Sequence, residues 1–218
     1  MEAQPKCNLI IDSCCDLPFE VIDRPGVQLL EFPYIDEKGE HSDDLYRTIT
    51  PHEFYEGMRA GSQPSTAQVP VTVFRDVFSK AIESGVPTVY LSFTSGLSGS
   101  FNTAVMMRDQ LIAEHPEAEL YVVDTYLASV AEALLVYEAL NQRDNGMTAR
   151  ELAAWAEEAR YFVDAEFMVD DLESLRRGGR IPSTVAYAGA KLDVKPLLNI
   201  SIEGKLALTG VARGRKKG

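Results

Sequence analysis

Cysteine is scarce in this chain, with three among 218 residues, at Cys7, Cys14 and Cys15. No C-x-x-C pair occurs, so neither a disulfide framework nor a zinc site is signalled. Cys14 and Cys15 stand at a strand end, which leaves two readings: a reactive thiol, or small buried residues in a reducing compartment. Histidine is as rare: His41, His52 and His115 lie in polar surroundings and read as surface residues. Positive charge is in deficit, 21 Lys and Arg against 33 Asp and Glu for a net charge of −12. Binding driven by phosphate neutralisation, and with it a nucleic-acid partner, is not expected. No apolar run approaches the roughly 20 residues of a membrane span. The opening MEAQPKCNLI lacks the basic-then-apolar order of a secretion signal, so the expected location is cytoplasmic. Neither G-x-x-x-x-G-K nor G-x-G-x-x-G is present, and nucleotide phosphates are not indicated.

What is present is ordinary globular composition, 45% hydrophobic and 25% charged, in a chain long enough for one large or two small domains. Strand signals fall at Cys7–Ile11, Thr88–Phe93 and Leu120–Val123, and Val27–Ile35 reads as extended, closed by a hairpin turn at Asp36–Gly39. Thr50-Pro51-His52-Glu53 and Thr148-Ala149-Arg150-Glu151 have the form of capping boxes and start helices. Between them, Val71–Ile82, Ser98–Glu114 and Leu127–Arg143 read as helices, and Ser62–Ser65 (SQPS) as an irregular loop. Strand and helix alternating at this spacing predict a parallel sheet with helices on its faces, over residues 1–160. From 161 the character changes: a short strand Phe167–Val169, a short helix Asp171–Arg177, a break at Gly178-Gly179, and a hairpin Leu197–Ile202 and Lys205–Leu208. These read as the opening of a second α/β domain, 161–218, that stops short at RGRKKG.

The stretch TSGLSGSFNTA (Thr94–Ala104) places hydroxyls and glycines between a predicted strand and a predicted helix. Glycine permits close backbone approach, and hydroxyls with helix-start N–H groups suit an anionic oxygen. In open parallel sheets ligands collect at the carboxyl ends of the strands. Here those ends carry Asp12-Ser13, Thr94-Ser95 and Asp124-Thr125, with Gly61–Ser65 nearby. The plain alternative is that these residues cap helices. A serine hydrolase or acyl transferase using Ser95 or Ser98 is the competing reading. GLSGS (Gly96–Ser100) lacks the final glycine of a nucleophile elbow, however, and no histidine lies in the strand-end loops to act as base. A purely structural or regulatory module is a third reading. In LESLRRGGRIP (Leu172–Pro182), Arg180 either presents its planar fork to a carboxylate or caps a helix and pairs with Asp170 or Asp171.

Several blocks resemble the DegV family. IDSCCDLP (Ile11–Pro18) resembles its I-x-D-S-x-x-D-L-P opening, GSQPST its T-S-Q-P-S loop, and TSGLSGSFNTA its S-S-x-L-S-G-T-Y-x-x-A turn. VVDTYLAS, DDLESLRRGGRI, DVKPLLNI and VARGRKK resemble further family blocks, in the same order along essentially the whole chain. The resemblance implies a two-domain α/β protein whose N-terminal Rossmann-like parallel sheet is joined to a second α/β domain, truncated here. It implies no cofactor and no catalytic residue. The ligand it implies is a long-chain fatty acid bound between the domains and presented to an ATP-dependent fatty acid kinase subunit for acyl-phosphate formation, with transient membrane contact. Carried over by motif, the carboxylate-binding residues are Ser62, Ser95 and Arg180, with Thr94 and Ser98 as neighbours. Gly61 stands where the family has threonine, which removes one hydroxyl that Ser62 or Thr66 would replace. The family also continues past R-x-R-K-K, to a histidine near the head group.

Overall fold

The computed structural model describes residues 5–169, 172–181 and 194–213. Its centre is a four-stranded parallel sheet in the order β2-β1-β6-β7, from β1 (Asn8–Asp12), β2 (Val27–Leu30), β6 (Thr88–Ser92) and β7 (Leu120–Asp124). All five residues of β6 are buried, as expected for an inner strand covered on both faces. Side chains alternate across the sheet. Leu9, Ile11, Val89, Leu91 and Val123 face α5 (Ser129–Asp144) and α6 (Ala149–Ala159). Ile10, Tyr90 and Val122 face α3 (Val71–Glu83) and α4 (Ser100–Glu114), where Phe74, Phe78, Met107 and Leu111 fill the second core.

Both capping boxes are formed, Thr50 with Glu53 at α2 (Pro51–Arg59) and Thr148 with Glu151 at α6. The single extended stretch expected at Val27–Ile35 is instead two strands in two sheets. β2 stays in the parallel sheet, and β3 (Phe32–Asp36) leaves it to pair with β4 (Gly39–Asp43) and β5 (Ser65–Thr66) in an antiparallel sheet of order β4-β3-β5. Pro33 has no N–H to continue a ladder with β1, and the Ser13 hydroxyl accepts the Phe32 N–H at 3.1 Å, fixing the departure point. Part of the predicted SQPS loop is thereby strand, since Ser65 and Thr66 pair with Ile35 and Tyr34.

Beyond α6 the chain builds a three-stranded antiparallel sheet of order β10-β9-β8, from β8 (Glu166–Met168), β9 (Val194–Ile200) and β10 (Leu206–Arg213). A short helix α7 (Glu173–Arg177) lies between β8 and β9. Among the described residues this sheet carries a small buried cluster, Leu172, Ile181 and Leu198, with Phe167, Leu175 and Leu206 against it. Its β9–β10 turn reaches back to the carboxyl end of the parallel sheet, where the Thr94 hydroxyl donates to the Gly204 carbonyl at 2.9 Å.

Candidate functional site: a cleft at the strand ends

The strand-end polar residues are engaged with their own backbone. Asp12 is fully buried and accepts the Phe93 N–H at 2.7 Å, the Tyr90 hydroxyl at 3.0 Å and the Cys14 N–H at 3.1 Å. Burial lifts its carboxyl to about 7, against the pull of those three donors. Asp124 accepts the N–H groups of Ser95 and Tyr126, both at 3.1 Å, and Thr125 donates to the Ser92 carbonyl at 2.8 Å. These groups pin the turns, and the turns form the wall of a cleft.

The cleft has a volume of about 590 Å³. Apolar side chains from both sides line it: Phe32, Phe93 and Leu97 from the parallel-sheet side, Phe167, Leu175 and Leu206 from the second sheet and α7. Phe32 and Phe93 meet edge to face with ring centroids 5.9 Å apart. The polar lining is Gln63, Ser65, Thr66, Ser98, Ser174, Arg177 and Arg180.

Of the residues named from sequence, Ser98 and Arg180 line this cleft and the other three do not. The Ser98 hydroxyl accepts the Ser100 N–H at 3.2 Å and shares a 3.0 Å hydrogen bond with the Ser100 hydroxyl. Arg180 donates from Nε to the Leu97 carbonyl at 3.0 Å and from Nη1 to the Gly178 carbonyl, which lays its guanidinium along the rim. Thr94 is fully buried; its hydroxyl receives the Gly96 N–H at 3.1 Å and is committed to Gly204. Ser95 is half-buried and tied through its N–H to Asp124. Ser62 donates to Glu37 at 2.7 Å and faces a separate groove lined by Tyr34, His41 and Phe54. Asp170 and Asp171, the other partners considered for Arg180, lie outside the described residues, as does the tail at 214–218.

Sequence reasoning missed Arg177 and the aromatic wall. Arg176 forms a two-bond ion pair with Glu173, at 2.8 and 2.6 Å, while Arg177 turns inward to donate to the Gln63 side-chain carbonyl and, at 3.4 Å, to the Ser174 hydroxyl. Among the described residues the hydrogen bonds of Arg177 and Arg180 go to neutral oxygens, and Arg177 acts on a carboxylate only through the charge it adds to that of Arg176 beside Glu173. The motif LRRGGR contains three arginines, and which of Arg176 and Arg177 faces the cleft depends on the rotation of a helix only five residues long.

Gly96 also has a reason other than an anion. A Cβ there would run into the Gly204 carbonyl oxygen, so the bare turn accommodates the β9–β10 hairpin. Among the described residues no histidine lines the cleft: His41 is held by Asp36 at 2.8 Å, and His115 is exposed near Glu117. The thiols of Cys14 and Cys15 are pushed up by burial and by neighbouring carboxyls, which opposes the thiolate a nucleophile requires.

The family model for DegV, described as an uncharacterised protein family, matches residues 6–218. The chain belongs to the DegV family. A DegV domain-containing protein of Clostridium perfringens is 35% identical over 212 residues, 97% of this chain and 73% of that one. Among solved structures, a stearic-acid-binding protein of Eubacterium ventriosum superposes with a TM-score of 0.84 at 27% identity, covering 96% of this chain and 72% of its own. The Streptococcus pneumoniae fatty acid kinase B3 protein, loaded with linoleic acid, has a TM-score of 0.82 at 21% identity over 97% and 74% of the two chains, a likeness of fold. The DegV chain described here therefore has the mixed α/β architecture of its solved neighbours. Among its described residues no helix is long and apolar enough to cross a membrane.

Proposed function

We propose that this DegV chain binds one long-chain fatty acid in the cleft, clasped between two units, 1–160 and 161–218. The observation that carries the reading is the pairing of an aromatic and aliphatic wall with two arginines at its rim, Arg177 and Arg180, whose hydrogen bonds among the described residues go to neutral oxygens. An acyl tail gains from leaving water by about 25 cal/mol per Å² of apolar surface, and a carboxylate suits the planar forks of arginine. Ser98 and Arg180 contact the head group, with Arg177 as a second cation. Thr94 and Ser95 hold the turn that presents them, and Ser62 reaches the head group when its loop gives up the bond to Glu37. The bound acid is then handed as its carboxylate to an ATP-dependent kinase subunit, with transient membrane contact during loading. The DegV resemblance supports that step, and the arginines leave the carboxylate end at the rim.

Lipid extraction with mass analysis, alongside native mass spectrometry of the purified protein with added stearic acid, tests the binding. A single acyl chain per molecule is the expected result. No co-purified lipid and no uptake of added acid would overturn the reading.

A further inference from the structure

Glu132 is the one carboxyl group among the described residues with both oxygens buried and without any hydrogen-bond partner. It sits in the first turn of α5 and is fully buried. α5 packs on the short 3-10 turn Ser13–Cys15 and on α6. The charges that act on the carboxyl are those of Asp12 at the end of β1, Asp16 just after the 3-10 turn and Asp124 at the end of β7, and its own charge acts on Cys14 and Cys15 of that turn and on the Tyr90 hydroxyl of β6. The charged residues of α6 (Arg150, Glu151, Glu157 and Glu158) are exposed. The charged groups that act on Glu132 are all acidic.

A buried carboxylate with no donor costs far more than the field of a helix N-terminus returns. Asp12, whose charge acts on Glu132, receives three donors. A proton shared between two such neighbours therefore belongs on Glu132. Asp12 in turn holds the backbone of Cys14 and Phe93, and both residues line the cleft.

We propose that Glu132 is a positioning residue: it keeps its proton after Asp12 has lost its own, and losing the Glu132 proton drives the two carboxyls apart and loosens the Cys14–Phe93 wall of the cleft. The part concerning ligand affinity rests on the fatty-acid reading of that cleft. Burial and the surrounding acids raise the Glu132 carboxyl well above its ordinary value of 4.5. The stability this confers is fully present below the unfolded value and is lost as pH rises toward and through the folded one. Asp12, raised to about 7, contributes with the same sign, so the Glu132 share is read from a difference between proteins.

Two variants and a spectrum decide it. Glu132→Gln keeps the shape and cannot ionise. Relative to wild type, its folding equilibrium constant in ligand-free protein should gain up to about tenfold per pH unit as pH rises above the ordinary carboxyl value of 4.5. Parallel pH profiles for the two proteins would overturn the assignment. Infrared difference spectra of wild type at mildly alkaline pH should show a protonated carboxyl band that Glu132→Gln lacks; its absence from wild type would overturn it independently of any variant's folding. Asp12→Asn should leave that band in place.

For the cleft, stearic acid affinity should fall several-fold more in wild type than in Glu132→Gln as pH rises through the interval in which the protonated carboxyl band of wild type disappears. An equal fall in both would disconnect Glu132 from the wall. Failure of wild type to bind stearic acid at any pH would overturn the fatty-acid reading and the affinity part together, while the profiles and the infrared band still decide where the proton sits.

Discussion

The parallel sheet, whose strand-end turns wall one side of the cleft, and the second sheet, which walls the other, are built to different standards. The parallel sheet is sandwiched between two helix layers and anchors two large cores, one with Leu9, Leu91 and Leu140, the other with Phe74, Phe78 and Tyr90. Among the described residues the second sheet and its helix bury a small cluster, Leu172, Ile181 and Leu198, together with Pro196 and Ala212, and its edge strand β10 exposes Leu208 and Val211. Much of its anchorage is borrowed: Ile200 packs on Leu127, Ala131 and Leu135, and the hairpin tip bonds to Thr94. One wall of the cleft is therefore rigid, and the other is held mainly by its contacts with the first. A binding site that must open to admit its ligand benefits from that asymmetry.

The largest expected effect sharpens this contrast. Leu140→Ala should cost about 2–5 kcal/mol and lower the main thermal transition, because it opens a cavity between packed layers. Leu198→Ala should move that transition by about 1 kcal/mol or less and instead speed amide exchange in β8, β9 and β10. Equal loss in the main transition for both would mean that the sheets unfold as one unit, and the comparison would fail.

Next in size is the loss of the head-group contacts. Arg180→Ala and Ser98→Ala should each weaken stearic acid binding by about 1.5–3 kcal/mol, the range for a hydrogen bond to a charged group, measured by titration calorimetry. Added salt should shrink the Arg180→Ala effect more than the Ser98→Ala effect, since the arginine is exposed. Gly96→Ala should displace the hairpin from the Thr94 turn, weakening binding while leaving the main transition nearly unchanged. The smallest effect belongs to the rigid side: Thr148→Ala removes a formed capping box and should cost about 1 kcal/mol, with no change in binding.

The rigid side was also the legible one. Apolar runs at β1, β6 and β7 and two capping boxes announce themselves within a few residues of sequence, because their causes are local. β3 was hidden because Pro33 and the distant Ser13 jointly decide where the strand changes sheets. The same holds at the site. Ser98 and Arg180 sit in local motifs and do line the cleft, whereas Thr94 and Gly96 serve the contact with Gly204, more than a hundred residues away in sequence. Nothing in the sequence analysis singles out Glu132; only the packing of α5 on the 3-10 turn reveals its burial.

The central claim is that the cleft recognises an anion at the end of an apolar chain. Comparing stearic acid with its methyl ester on wild type and on Arg180→Ala tests it most directly, since the ester keeps the tail and loses the charge. The acid should bind wild type at least about tenfold tighter than the ester, and Arg180→Ala should narrow that gap. Equal affinity of wild type for acid and ester would show that the arginine rim and the serine turn serve only to hold the two sheets together.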